Sequence, residues 1–116
     1  MTINITSRHA DISDTLKTHA QAKLTTVLAA YPRVEYAHLI MDIQKFRQIV
    51  EVIVQGRHHL RVEAREESDD MYASLDRVID KVNRQLRRWQ DKVVDHKSGK
   101  HRLKLTDFEQ QLTGST

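Results

Sequence analysis

Asp70-Met71-Tyr72-Ala73-Ser74-Leu75-Asp76-Arg77-Val78-Ile79-Asp80-Lys81-Val82-Asn83-Arg84-Gln85-Leu86-Arg87-Arg88 decides how this chain is read, because one helical period carries two stripes. Tyr72, Leu75, Ile79, Val82 and Leu86, continued by Trp89 and Val93, recur at steps of three and four, the spacing of a single buried helix face. Arg77, Lys81, Arg84, Arg88 and Lys92 recur at steps of 4, 3, 4 and 4. At about 100° per residue that spacing lines five cations along the opposite, exposed side. A helix over 70–92 thus has one face for folding and a second, basic face.

Charge around this helix is polarised. Residues 63–76 hold six acids against the single base Arg65, whereas 77–104 hold ten bases against Asp80, Asp91 and Asp95. The net charge is only +3, so the distribution, not the total, would orient the molecule on a polyanion. Part of the acidic run has a plainer use, since carboxylates in a helix's first turn complement its dipole. At 116 residues the chain suits one domain, expected over 1–97. A flexible C-terminal tail is expected over 98–116, where Leu103, Leu105, Phe108 and Leu112 are thinly spread. The absence of cysteine excludes disulfides, thiolate metal sites and a cysteine nucleophile. There is no apolar run long enough to span a membrane and no basic-then-apolar N-terminus, so a cytoplasmic protein without membrane contact is expected.

Working outward, residues 2–7 alternate Ile3 and Ile5 with polar residues, as a half-buried strand does. Ser13 offers an N-cap to a helix whose Leu16, Ala20, Leu24, Val27, Leu28 and Tyr31 share a face, and Pro32 closes it. Alternation returns over 36–45 (Ala37, Leu39, Met41, Ile43), 49–55 (Val50, Val52, Val54) and 59–65 (Leu60, Val62, Ala64). Lys45-Phe46-Arg47-Gln48 and Gly56-Arg57-His58 are short enough to be hairpin connections, which makes these three strands an antiparallel meander. Ser68 is the expected N-cap of the second helix. The order β-α-β-β-β-α is an α+β fold, a four-stranded mixed sheet with two helices packed on one face. Its first two strands are parallel through a right-handed crossover.

The basic ridge is the strongest functional signal, and it has two readings. A charged helix face is commonly no more than solvated surface. Here four of the cations are arginines (Arg77, Arg84, Arg87, Arg88), whose planar forks match phosphate bidentately. The residues by themselves leave both readings open. Arg8 after the first strand, and Lys17 and Lys23 on the first helix, would extend such a surface. Tyr72 and Trp89 lie on the apolar stripe and Phe46 in a turn, so contact with a nucleic-acid backbone and shape is favoured over base stacking.

Seven histidines raise a metal site, but His58 and His59 are adjacent and on a strand would point to opposite faces. His96 and His101 lack a carboxylate pair at ligand spacing, so no metal is expected. Nor is a cofactor, catalytic residue or small-molecule substrate, because three glycines and dispersed acids supply neither a phosphate loop nor a convergent pocket. An enzyme is not expected. The open sheet face carries Tyr36, His38, Ile40, Ile49, Glu51, Ile53, His59, Arg61, Glu63 and Arg65, and a cluster of Ile40, Ile49 and Ile53 there would make a protein contact.

Ile3-Asn4-Ile5-Thr6-Ser7-Arg8-His9, Lys23-Leu24, and above all Asp70-Met71-Tyr72-Ala73 with Leu75-Asp76, Asp80-Lys81 and Arg84-Gln85-Leu86 resemble the ribosome hibernation factors. This family includes hibernation promoting factor and ribosome-associated inhibitor and is also described as sigma-54 modulation proteins. The resemblance covers residues 1 to about 95 in order and implies a fold similar to a double-stranded-RNA-binding domain with an added strand. It further implies a translation inhibitor, monomeric when free, that occupies the messenger and transfer RNA channel of the small ribosomal subunit during stationary phase or stress. Carried over by position, Arg8, Lys23, Lys81, Arg84, Arg87 and Arg88 would contact ribosomal RNA, while Arg77 and Lys92 come from the helical wheel alone. The alternative is a protein-interaction module that modulates a transcription (sigma) factor through the open sheet face. A dimer-forming second domain like that of the long family members is not expected in these 116 residues. Its tail leaves the direction of any effect on ribosome pairing open.

Overall fold

The computed structural model describes residues 1–9 and 11–98, with side chains through Lys92. The expected tail, apart from Ser98, lies outside the described residues, as do the side chains of Val93, His96 and His101. The elements are β1 (Thr2–Arg8), α1 (Asp14–Leu28), β2 (Val34–Gln44), β3 (Arg47–Gly56), β4 (Arg61–Ser68) and α2 (Met71–Ser98). The chain divides into two units, Met1–Gln85 and Leu86–Thr116.

In Met1–Gln85 the strands lie in the order β1-β2-β3-β4. β1 and β2 are parallel and the other pairs antiparallel. Parallel neighbours need a crossover element, and α1 supplies it. The register turns the alternation of each strand into rows: Ile5, Leu39, Val52 and Ala64 form one, and Ile3, Ala37, Val54 and Val62 the next. Ala37, Leu39, Met41, Val50, Val52 and Val54 are wholly buried, so this face of the central strands is the floor of the core. The helices roof it with Leu16, Ala20, Leu24 and Leu28 from α1 and Met71, Leu75, Val78, Ile79 and Val82 from α2. Each fully buried aliphatic side chain contributes roughly 1.5–3 kcal/mol of transfer free energy. The α+β order and the mixed sheet read from the sequence are therefore those of the folded chain.

Ser13 caps α1 as its position predicts, with an extended backbone and Oγ accepting from the Leu16 N–H at 3.1 Å. The start of α2 differs. Ser68 is the last residue of β4, and the Asp70 carbonyl accepts the first helical bond, from the Ser74 N–H at 3.0 Å, so Asp70 holds the cap position. Ser68 instead ties the turn together: its Oγ accepts from the Asp70 N–H at 3.1 Å and lies 2.7 Å from Ser74 Oγ. Ser74 is fully buried, which a polar side chain tolerates only when paired, and it donates to the Gln48 carbonyl at 2.6 Å.

The interior stripe of α2 is shifted round the helix from the one expected. Met71, Ser74 and Val78 enter the core, while Tyr72 is 45% exposed and meets the His19 ring edge-on at 5.3 Å. The sheet lies on the Val78 side of the helix and α1 on the Tyr72 side, so Tyr72 packs at the helix–helix seam. The β3–β4 connection also differs. His58 and His59 are not strand residues but sit in a turn, both with positive φ (61° and 63°), and β4 begins at Arg61. On the open face, Ile40 and Ile49 are buried and Ile53 half-buried. Ile49 is in register with Glu67, whose carboxylate is held by Arg47 at 2.6 Å and Arg65 at 3.2 Å, so charged side chains border that face.

The described part of Leu86–Thr116 is the helix through Ser98. Leu86 is buried, Trp89 and Gln90 are half-buried, and Arg87, Arg88, Asp91 and Lys92 are exposed.

Candidate nucleic-acid interface

Three side-chain pairs fix how α1 and α2 meet. His19 faces Tyr72, Lys23 Nζ donates to Asp76 Oδ1 at 2.7 Å, and Tyr31 Oη donates to Asn83 Oδ1 at 2.7 Å. Partners rise together along both segments, so the helices run in the same direction and leave a seam between them that opens away from the sheet. The pairing is a consequence of i,i+4 spacing on each helix: His19 with Lys23, and Tyr72 with Asp76.

The site residues of Met1–Gln85 fall around this seam unequally. Lys23 borders it from α1 and is engaged by Asp76. Arg77 and Arg84 are exposed on the outer side of α2. Arg77 has no ion pair among the described residues, and Arg84 has a loose one, Nη2 to Asp80 Oδ2 at 3.6 Å within the same helix. Lys81 lies on the flank toward β4, where Nζ meets Glu66 Oε2 at 2.5 Å and the Arg65 carbonyl at 3.4 Å. It is half-buried and held twice. Arg8 is not brought to the seam: it continues the exposed alternation Thr2, Asn4, Thr6 on β1, in register with Asp42 of the open face. In Leu86–Thr116, Arg87, Arg88 and Lys92 are all exposed on the helical continuation.

The carboxylates around these cations are what the residue pattern understated. Asp80→Arg84 is readable as an i,i+4 pair, but Lys23–Asp76 and Lys81–Glu66 join residues 53 and 15 positions apart and follow only from tertiary structure. Exposed pairs of this kind contribute about 0–1 kcal/mol, so phosphate can displace Asp80 or Asp76 at small cost. Lys81 is the most costly to free. Among the described residues, a ligand approaching α2 therefore finds Arg77 without an ion pair and Arg84 in a loose one, with Lys23 at the edge of the seam.

Next to Arg8, the buried Asp42 carboxylate lies 2.9 Å from His9 Nδ1 and accepts from Gln44 Nε2 at 3.0 Å. The His9 hydrogen bond holds the Asp42 carboxyl below its ordinary range, against the opposing effect of burial. At the hairpin tip Lys45 has φ of 58° and Phe46 is 86% exposed, while the Arg47 guanidinium beside them holds the Glu67 carboxyl below its ordinary range. Among the described residues no group of three or more acidic or histidine side chains is placed to hold a metal ion, and no helix is long and apolar enough to cross a membrane.

Sequence and fold comparisons agree on the kinship of this arrangement. A protein of Azotobacter vinelandii named ribosome hibernation promoting factor is 30% identical over 101 residues, covering 85% of this chain and 92% of its own. The protein of the same name from Klebsiella oxytoca is 30% identical over 98 residues, covering 83% and 100%. Among solved structures, a ribosomal subunit interface protein from Coxiella burnetii superposes with a TM-score of 0.73 at 30% identity, over 78% of this chain and 99% of that one. The N-terminal domain of Thermus thermophilus Protein Y does so with 0.68 at 25% identity, over 77% and 99%. The family described as Sigma 54 modulation protein / S30EA ribosomal protein matches residues 3–94, which takes in every element from β1 through most of α2. The chain belongs to that family.

Proposed function

We infer that this protein is a ribosome hibernation factor, which binds the small ribosomal subunit through ribosomal RNA and silences translation by occupying the messenger and transfer RNA channel. The observation that carries the reading is the exposed, weakly engaged guanidinium pair Arg77 and Arg84 on the outer side of α2, in a fold whose relatives are named for ribosome hibernation and the subunit interface. Arginine on a rigid helix presents its fork at fixed spacing, and backbone recognition needs no aromatic platform. Lys23, Lys81 and Arg8 are secondary contacts in Met1–Gln85, and Arg87, Arg88 and Lys92 are contacts of the second unit. The ribosome-binding part is residues 1–97, and 98–116 act as an accessory tail. Action is by occlusion, so neither turnover nor a cofactor enters. Burial of Ile40 and Ile49 removes most of the apolar surface on which sigma-factor modulation through the sheet would depend.

The test is cosedimentation with purified small subunits across a salt series. With five phosphates neutralised, log affinity falls against log salt with a slope of roughly −3.5 to −4.5. Replacing Arg84, Arg87 and Arg88 together by glutamate abolishes binding on this reading. Salt-indifferent association, or unimpaired binding by the triple variant, overturns it. A sucrose gradient of whole ribosomes with the native chain and with a chain ending at Ser98 reads out whether ribosome pairing is promoted or prevented.

A further inference from the structure

The two edges of the sheet are defended differently. β4 closes one edge and carries Arg61, Glu63, Arg65, Glu66 and Glu67, and charges along an edge strand keep other strands from adding to it. β1 closes the other edge and has no charged residue and no proline from Thr2 to Ser7. Its register with β2 is unbroken from Thr2 through Arg8, so no bulge bends the strand away. Among the described residues no strand pairs with its outer side. The main-chain donors and acceptors of that side form a regular, uncharged template.

The core rows also stop short at β1. Ile3 and Ile5 are in register with Ala37 and Leu39, which are wholly buried, yet both isoleucines are only half-buried. On the side of α1 opposite Lys23, Gln21 and Thr25 are exposed and uncharged, so the roof above this edge is free of charge as well. An added strand with apolar residues at alternate positions would extend both rows and cover Ile3 and Ile5.

The strand itself names the occupant, because Thr2-Ile3-Asn4-Ile5-Thr6 reads the same in both directions. Antiparallel pairing of two copies about a two-fold axis at Asn4 sets Ile3 opposite Ile5 of the second copy, Thr2 opposite Thr6, and Asn4 opposite itself. Residues in direct register share a face, so the cores of both copies lie on the same side of one sheet. A shift of one residue would put the isoleucines of one copy on the polar face of the other. A shift of two would leave an isoleucine opposite Met1 or Ser7. In the centred register the two Arg8 residues fall at opposite ends, about 27 Å apart, so the strand's one charge does not oppose itself.

We propose that β1 is a self-association edge, at which two copies of this chain pair antiparallel about Asn4 into one continuous eight-stranded sheet. α2 lies toward β4, where Lys81 meets Glu66, so the dimer leaves Arg77 and Arg84 of both copies on its outer flanks. The monomer implied by the family resemblance is the dilute form of this pair. A contact made through one strand and a helix flank belongs to the transient class below about 1,200 Å², so pairing sets in at about 0.1 mM and above.

The experiment is sedimentation equilibrium of the full chain, free of nucleic acid, from about 0.01 to about 1 mM. The native chain passes from monomer to dimer over this range. Asn4 is exposed, so Asn4→Lys leaves the fold and its melting temperature unchanged, but it sets two like charges face to face at the axis and weakens pairing at least about ten-fold. The chain has no cysteine, so a single introduced thiol reports the register. Asn4→Cys brings two copies to about 5 Å between Cα atoms and is cross-linked by a short bis-maleimide. Thr6→Cys holds them about 14 Å apart and is not. A native chain that stays monomeric at about 1 mM overturns the proposal. So does a dimer that Asn4→Lys leaves intact, or cross-linking of Thr6→Cys as efficient as that of Asn4→Cys. If the dimer forms as described while small subunits are not bound, the β1 edge stands and the ribosomal reading falls.

Discussion

Gly56→Ala is expected to destabilise this protein, against the usual sign for such a change. Replacing a strand glycine by alanine ordinarily stabilises a chain by about 0.4–1 kcal/mol through the unfolded state. Gly56 has no positive φ, so conformation alone would permit alanine. Space does not. A Cβ built at Gly56 lies 2.0 Å from the Arg33 carbonyl oxygen, 2.9 Å from its carbon and 3.0 Å from Leu60 Cδ2. Leu60 can turn aside, but the two Arg33 atoms are backbone and retreat only if residues 32–34 move as a unit. That motion pulls the Arg33 carbonyl from the Arg57 N–H and the Pro32 carbonyl from Arg57 Nη2. Overpacking costs about 1–3 kcal/mol and each of the two lost hydrogen bonds about 0.5–1.5 kcal/mol, for a total of about 2–6 kcal/mol. In a domain of this size the melting temperature falls by roughly 10–30 °C. Thermal unfolding followed by circular dichroism, paired with urea denaturation to check that the slope is unchanged, reads this directly. A melting temperature within about 3 °C of the native value would refute the claim that backbone contact makes glycine obligatory here.

Three further outcomes follow from the same contacts. Ser13→Ala removes the acceptor for the Leu16 N–H and costs about 1 kcal/mol, seen as a lower urea midpoint with unchanged slope. The Asp42 carboxyl is depressed in the folded state, so its contribution is complete above the ordinary carboxylate range and disappears as pH falls through the folded value. The stability gap between native chain and Asp42→Asn, measured by denaturation across pH, therefore closes in acid, and a gap that stays constant contradicts the His9–Asp42 assignment. Lys81→Gln and Arg84→Gln should split stability from binding. Lys81 is held by Glu66 and the Arg65 carbonyl and its loss costs about 0.5–1 kcal/mol of stability, whereas the exposed Arg84–Asp80 pair is worth about 0.3–0.5 kcal/mol. Binding to small subunits suffers more from Arg84→Gln, and the opposite order would remove Arg84 from the interface.

Most of the elements were legible because periodicity records burial. Leu16, Ala20, Leu24 and Leu28 are a stripe at steps of four with a serine cap before it, and each strand of the meander alternates about a valine or leucine set. Where the reading failed, the deciding group was far away in sequence. Tyr72 sits at the margin of the apolar arc, and only the position of His19 tells which margin is covered. Ser74 is accepted in the core only because the Gln48 carbonyl, 26 positions earlier, becomes its acceptor. Ser68 was a sound cap candidate by type, but β4 runs on to include it and Asp70 takes the position. The cations were all visible as residues, yet their availability was not, since Lys81 and Lys23 find carboxylates on other elements.

The sequence by itself determined the element order, the one-sided core and the placement of positive charge along the last helix, because these depend on residue type at fixed local spacing. Tertiary structure decided which of those charges are free to act. It ran the helices parallel so that Lys23 meets Asp76, folded α2 against β4 so that Glu66 holds Lys81, left Arg77 without an ion pair among the described residues, and set Arg8 on the sheet's other face. It also placed the strand β1, uncharged from Thr2 to Ser7, at the edge of the sheet. Local pattern fixes where a charge stands on its own element; the neighbours that neutralise or expose it come from chain segments that spacing cannot relate.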